Sequence, residues 1–487
     1  MEQISKFRVM VQPNQYINIR HISGPISFYI IDIKYKSYLS TDEIKKTIYL
    51  FGDSHFTKLN SCNSCDQKAD CYRIDKFFDL IFENNKQTPI DFFLEISWID
   101  KMSKTQPTSK DMSFIQKYTS EQKATKTGYL FDLRDKYYNC IYNNQNCFPN
   151  TRIHYTDFRH LPDNLPVFGH LVRLLYTGYL SEWNLTIQDD NLYKILILSV
   201  LLFDNDTEIN TFFRELFEIY IRPNFVNNIV QFINNQRTII DNKLKKIMPG
   251  LNINAFKVTE FTRDQIKPEI IYKHTDGQEY HKIYKQLLMC SEDNRNKIVD
   301  QARSDIGFLM KQYCPKVTSL DQDPKNFLPK LDIYLQLTEK LSPEKRNLKN
   351  VMIENKKVSE IEYLHYYFYC LGIKTLDYTS ILFDCYTLGR ILKESNDIKQ
   401  SSNVFIFAGG EHILHYFDFF RYKLAGNVTV NIPSQEIGDD HLRCLELSNI
   451  DHVIDLTNEQ KIQSGGNLYN KKYLKYKSQY LKLKKLF

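Results

Sequence analysis

Two short apolar runs near opposite ends of this 487-residue chain stop on the same kind of punctuation, and that coincidence restricts the fold more than any other feature. Thr47-Ile48-Tyr49-Leu50-Phe51 ends at Gly52-Asp53-Ser54-His55, and Asn403-Val404-Phe405-Ile406-Phe407-Ala408 ends at Gly409-Gly410-Glu411-His412. Short runs of β-branched and aromatic side chains without polar alternation are what strands buried on both faces require. A glycine at the end lets the backbone turn, and the acid and imidazole that follow are aimed at the space beyond the strand. The bland alternatives are a loop histidine satisfied by a backbone carbonyl at His55 and a tight helix start at Gly409-Gly410. Four-residue patterns are common singly; two in the same context are much less a matter of chance.

The rest of the chain supplies the same grammar. Phe7 to Tyr38 favours strands, broken at Gly24-Pro25, and a helix is predicted around Ile74 to Glu83. Ile90-Asp91-Phe92-Phe93-Leu94 ends at Glu95, and Arg152-Ile153-His154-Tyr155-Thr156 ends at Asp157. From about Leu165 to Leu341 the pattern is almost wholly helical, with amphipathic spacing through Phe212, Leu216, Ile219 and Tyr220 and again through Ile283 to Met310. Val358 to Leu371 and Tyr378 to Leu392 are expected as two further helices, and Ile413 to Tyr422 as the helix after the second motif. The expected fold is α/β: a central, mostly parallel sheet built from two β-α halves, with a large helical insertion and a C-terminal helical tail. The expected segments are 1–165, 166–345, 346–460 and a linker with a basic amphipathic tail at 461–487. In the tail Tyr473, Tyr476, Tyr480, Leu483 and Phe487 recur at helical spacing among lysines, so it could dock on an acidic partner or nucleic acid, or simply stay solvated.

Composition excludes more than it identifies. A net charge of +6 is mild for this length and does not by itself make a nucleic-acid binder. The 33 Tyr and 32 Phe against 16 Gly and 15 Pro, with heavy Asn, Lys and Ile usage, fit an AT-rich coding genome. The best apolar run, Ile195 to Phe203, is interrupted by Ser199 and stops at Asp204, so no transmembrane segment is expected. The start, MEQISKFRVM, has no signal-peptide stretch, so secretion is not expected. The ten cysteines are sparse and mostly in apolar helical surroundings, which reads as small reduced core residues in a reducing compartment. Cys62, Cys65 and Cys71 form a C-x-x-C-x5-C group; zinc would need a fourth ligand such as Cys140 or Cys147, and free thiols are the favoured reading. No Walker loop, dinucleotide fingerprint, H-E-x-x-H or G-x-S-x-G is present, which moves nucleotide hydrolysis, common redox chemistry and ordinary serine hydrolases out of the front rank.

Several residues could carry chemistry. Glu95 closes an otherwise apolar strand and is a candidate general base or metal ligand, or else an N-cap or ion-pair partner. Asp157 and Arg159 follow the next strand, and His154 within it is more simply a packed histidine. Arg390, before the second glycine motif, could clamp a carboxylate or phosphate, with an ion pair to Asp384 or Asp157 as the plainer role.

Paired G-x-x-H motifs, an acid ending an intervening strand and an Arg before the second motif resemble the broad superfamily of TIKI and TraB proteins, ChaN-like proteins and erythromycin-esterase-like proteins. The likeness rests on Gly52, His55, Glu95, Arg390, Gly409 and His412. It implies an α/β fold of two related halves with a pocket that serves a divalent-metal peptidase, a metal-independent esterase or a haem binder in different members. YLFGDSH, DFFLE, RIHYTDFR, FIFAGGEH and the Lys/Tyr-rich tail further resemble uncharacterised proteins of giant viruses, implying host cytoplasm, viral factory or virion as the setting. The leading expectation is a divalent-metal hydrolase: His55, His412, Asp53 and Glu95 hold one Mn, Co, Zn or Fe ion, Glu95 or Glu411 moves the proton, Asp157 fixes a histidine tautomer and Arg390 positions an anionic part of the substrate. The competing expectation is an inactive viral structural or host-interaction protein that keeps the fold.

Overall fold

The computed structural model describes residues 7–53, 70–97, 129–142, 147–157, 206–247, 259–266, 271–273, 276–312, 350–353, 356–394, 401–424, 430–431 and 444–457, with scattered positions from 192 to 203. His55, Cys62, Cys65, Arg159 and the basic tail lie outside the described residues.

The first segment runs β1 (Phe7–Gln12), β2 (Gln15–Asn18), β3 (His21–Ser23), β4 (Ser27–Lys36), β5 (Glu43–Asp53), β6 (Cys71–Arg73), α1 (Ile74–Asn84), β7 (Ile90–Ser97), α2 (Tyr129–Tyr142) and β8 (Thr151–Asp157). The helical segment follows with α3 (Asp206–Tyr220), α4 (Phe225–Ile247), β9 (Ile271–Lys273), β10 (Glu279–His281), α5 (Lys282–Leu288) and α6 (Glu292–Gln312). The last segment holds β11 (Asn350–Ile353), β12 (Lys356–Ser359), α7 (Glu360–Leu392), β13 (Asn403–Gly409), α8 (Gly410–Asp418), β14 (Val430–Asn431), β15 (Cys444–Glu446) and β16 (His452–Asp455).

A six-stranded sheet of order β14-β4-β5-β13-β7-β8 is the frame. β5, β13, β7 and β8 are mutually parallel and β4 runs against β5, so the sheet is mostly parallel, as the buried apolar runs imply. β13 comes from the far end of the chain and inserts between β5 and β7, so the two ends share one sheet. β16 likewise returns to pair with β1, and β15 with β3.

Strand alternation gives the sheet two different faces. Tyr49, Phe51, Phe92, Leu94, Phe405 and Phe407 face α1 and α2, where Phe77, Phe78, Phe82 and Tyr137 complete an aromatic core. Ile48, Leu50, Phe93, Val404 and Ile406 face the other way, toward α3, α4, α6, the second half of α7 and α8. The aromatic richness thus has a structural use on one face, with ring pairs such as Tyr49–Phe405 stacked at 4.4 Å.

Three expectations change. The two helices expected across 358–392 are one 33-residue helix, α7. The stretch holds no proline, and Gly372 costs only about 1 kcal/mol, too little to end a helix whose second half buries Tyr378, Leu382, Phe383 and Leu388. The helical segment is also not wholly helical: β9 and β10 form a hairpin whose turn uses Gly277 at φ 80°, a conformation side chains resist. The cysteines divide. Cys290 and Cys385 are buried free thiols, as expected. Cys140 instead bonds Cys147 across a half-exposed helix end, and Cys71 and Cys444 are also disulfide-bonded. Cys71 is therefore no free thiol, and Cys140 and Cys147 offer no thiolates to zinc. No helix among the described residues is long and apolar enough to cross a membrane.

Candidate functional site at the carboxyl edge of the sheet

The parallel strands bring their carboxyl ends to one edge. In register, Gly409 lies opposite Asp53, Ala408 opposite Gly52 and Phe407 opposite Leu94, so Asp53, Glu95 and the start of α8 are neighbours. The two glycine motifs touch: a Cβ on Gly52 would stand 2.2 Å from Ser27 Oγ and 3.4 Å from Gly410 Cα. Close approach, rather than the expected turn, is what requires glycine here. β13 passes into α8 with no intervening loop, which throws His412 back over the sheet edge on the first turn of the helix.

His412 bridges α7 and β7. Its Nδ1 donates to Asp384 Oδ1 at 2.7 Å, and its Nε2 faces Glu95 Oε1 at 3.5 Å. The other Glu95 oxygen accepts from the backbone N–H of Gly409 at 2.6 Å. The Phe383 ring meets the imidazole edge-on at 4.6 Å, and Asp53, Glu95 and His412 are only 2, 4 and 6% exposed. Asp384 Oδ2 accepts from His415 Nδ1 at 3.0 Å. Burial alone would push the Asp384 carboxyl up, but His412 and His415 outweigh it and hold it at about 2. The same hydrogen bond to Asp384 raises His415 to about 9 against its own partial burial. With Asp384 ionised, its bond from His412 fixes that ring's Nδ1–H, and Nε2 is the nitrogen turned to Glu95.

A second imidazole bridges the same two elements nearby. Asp91 and Glu95 lie on one face of β7, either side of Phe93. Asp91 accepts Arg152 bidentately at 2.7 and 2.8 Å and His154 Nε2 at 2.7 Å. His154 Nδ1 accepts from Arg390 Nη2 at 3.0 Å, while Arg390 Nη1 donates to Tyr386 Oη at 2.8 Å. Burial and the Arg390 charge hold His154 down at about 4, despite Asp91. Lys282 is half-buried beside them; desolvation lowers it to about 7, with Asp157 pulling up and Arg390 pushing down.

Of the residues singled out in the sequence, Glu95 and His412 meet and Asp53 ends the adjoining strand. Glu411 is exposed, and its charge acts on His415 rather than lying against His412. Arg390 bonds His154 and Tyr386 in place of the expected Asp384 or Asp157. The carboxylates that orient imidazoles are Asp384 and Asp91, whereas Asp157 is buried with its charge felt at Lys282. The sequence reading missed Asp91 and His415 and gave Asp384 the wrong partner. One signal was there: acids two strand pleats apart in Ile90-Asp91-Phe92-Phe93-Leu94-Glu95 must share a face of a buried strand, and both then need partners. Among the described residues no three His, Cys, Asp or Glu side chains gather to hold a metal ion.

Fold and site together define an α/β protein with a buried His–carboxylate site at the carboxyl edge of a mostly parallel sheet. Comparison with protein-family models, with curated proteins and with solved structures finds no match.

Proposed function

We propose that this chain is a divalent-metal-dependent hydrolase of the peptidase or esterase type, with Glu95 and His412 as two metal ligands and Asp53 and His55 as the others. The observation that carries this reading is the 3.5 Å between His412 Nε2 and Glu95 Oε1. With Nδ1 on Asp384, Nε2 is the nitrogen that faces the Glu95 carboxylate, and an imidazole and a carboxylate at that separation can share a divalent cation. The gap is longer than an ordinary hydrogen bond. The donor set, imidazole with carboxylates, suits the Mn, Co, Zn or Fe expected from the sequence.

Each side chain has a derived part. Asp384 orients the His412 ring, as the outer carboxylate of a carboxylate–histidine–metal triad does. Gly409 N–H occupies one oxygen of Glu95 and leaves the other toward His412. A divalent ion held by these residues would supply the acidity that lowers the pKa of water and the positive charge that polarises an ester or amide carbonyl. Among the settings implied by the giant-virus resemblance, the disulfide-bonded cysteines favour the virion.

Metal content of protein purified without chelator tests the reading. About one divalent ion per chain is expected, lost in His412→Ala and Glu95→Gln together with ester or amide hydrolysis. A metal-free native protein whose properties these substitutions leave unchanged would sink it. The second reading, an inactive viral structural or host-interaction protein, has one observation in its favour, the near-complete burial of Asp53, Glu95 and His412; metal-free, inert but fully folded protein would support it.

A further inference from the structure

The sheet has a second feature at its opposite edge. β4 runs against β5, with Lys34 opposite Lys45 and Lys36 opposite Glu43, so the end of β4 lies at the amino end of β5, away from Asp53. There it faces the start of α6 across a cleft of about 480 Å³, a volume suited to a small organic ligand.

The cleft is lined for an anion. Lys34, Lys36 and Lys297 reach it, against a single lining carboxylate, Asp293, which already pairs with Lys297 at 2.7 Å. Lys34 and Lys36 are exposed, and the nearby Glu43 is turned to Lys45 at 4.0 Å. Ser291 caps the 21-residue helix α6 by accepting from Asn294 N at 3.2 Å, which leaves the N–H groups of Glu292 and Asp293 at a helix N-terminus, where anions are favoured.

A separate observation points to a ligand. The Asn294 side chain lines the cleft and is 2% exposed, yet its amide nitrogen meets no acceptor. The buried Tyr35 hydroxyl, from the facing strand end and also in the lining, has no partner either. Folded proteins rarely leave two buried donors unmatched in one place. Glu394, which is outside the lining, accepts through Oε2 from Ser37 Oγ at 2.6 Å and Tyr38 N at 3.1 Å, while its Oε1 is buried without a hydrogen-bond partner. The remaining wall is apolar or aromatic, with Leu424 and the 46% exposed Tyr38 ring.

We infer that this cleft binds a phosphate monoester, the phosphate between Lys34, Lys36 and the start of α6, and the organic group against Tyr38 and Leu424. A dianion matches the excess of lysines, and the volume leaves room beyond the phosphate for the ester.

Titration calorimetry of the full chain with phenyl phosphate, inorganic phosphate and, at matched ionic strength, sodium chloride tests this. Phenyl phosphate is expected to bind more tightly than inorganic phosphate, and the double variant Lys34→Met/Lys36→Met to weaken both at least tenfold. Equal binding of the two phosphates would still support the anion site and name free phosphate as its ligand. Heats no larger than those of chloride, or phosphate binding untouched by the double variant, would overturn the inference. Both lysines are exposed and sit at the edge opposite His412, so unchanged metal content in the double variant separates this result from the fate of the hydrolase reading.

Discussion

Two histidines bridge helix α7 to strand β7, and their fates differ because of what the helix offers each. His412 receives a carboxylate from Asp384 and faces a second, Glu95. His154 accepts from the guanidinium of Arg390 at Nδ1 and donates its one N–H, on Nε2, to Asp91. Arg390 donates, so His154 Nδ1 must be the acceptor and Nε2 the donor; both ring nitrogens are spent inside the protein, and the residue is a structural link. Asp384 accepts from His412 Nδ1, and Nε2 faces a second carboxylate, Glu95, at 3.5 Å. The lesson is that an imidazole's partners, more than its burial or its motif, set which of its nitrogens donates and which accepts.

The comparison can be broken most severely at its active side. Glu95→Gln or His412→Ala should reduce hydrolysis on the order of 1000-fold while His154→Gln leaves turnover per folded molecule within a few-fold; steady-state kinetics on the three proteins checks both. Equal losses in all three would erase the distinction.

At the structural side the expected effect is on folding. Asp91→Ala strips the carboxylate from the partly exposed Arg152 and leaves the N–H of a neutral His154 without its acceptor, at a cost of about 1–3 kcal/mol in urea denaturation, with metal content per folded chain unaltered. A fainter effect is expected from Asp384→Asn, which loosens the ring orientation of His412 and should weaken metal affinity by about 10- to 100-fold, read by competition with a chromogenic chelator.

The smallest effects are those of pH, and they sharpen the contrast. His154, held down at about 4 from 6.5, contributes stability that is present above pH 6.5 and lost as the pH falls toward 4. His415, raised from 6.5 to about 9 by Asp384, contributes fully below pH 6.5 and loses that contribution as the pH rises through 9. Stability measured against pH should therefore lose its acid limb in His154→Gln and its alkaline limb in His415→Gln, the second more weakly because the His415 side chain is 47% exposed.

Much of this was legible in the residues. The runs ending at Asp53, Glu95, Asp157 and Gly409 are parallel strands with those ends on one edge, because an unbroken apolar run has no other comfortable place than a sheet covered on both sides. Less was legible in the helices. Gly372 reads as a break between two helices, and only the burial of Tyr378, Leu382, Phe383 and Leu388 along one continuous α7 shows that its cost is outweighed. Disulfide bonding at Cys140 was hidden for a similar reason: apolar neighbours in sequence do not tell whether a thiol faces the core or a partner seven residues on.

By itself the amino-acid sequence determined the strand ends, the glycines that let them approach and the identity of two facing groups, Glu95 and His412, because backbone period and side-chain size are local properties. Only the tertiary structure decided that β13 enters between β5 and β7, that Asp384 rather than Glu411 holds the imidazole, and that Arg390 silences His154. Those choices rest on hydrogen bonds between residues far apart in the chain, and a buried donor takes whichever acceptor the packing brings within about 3 Å.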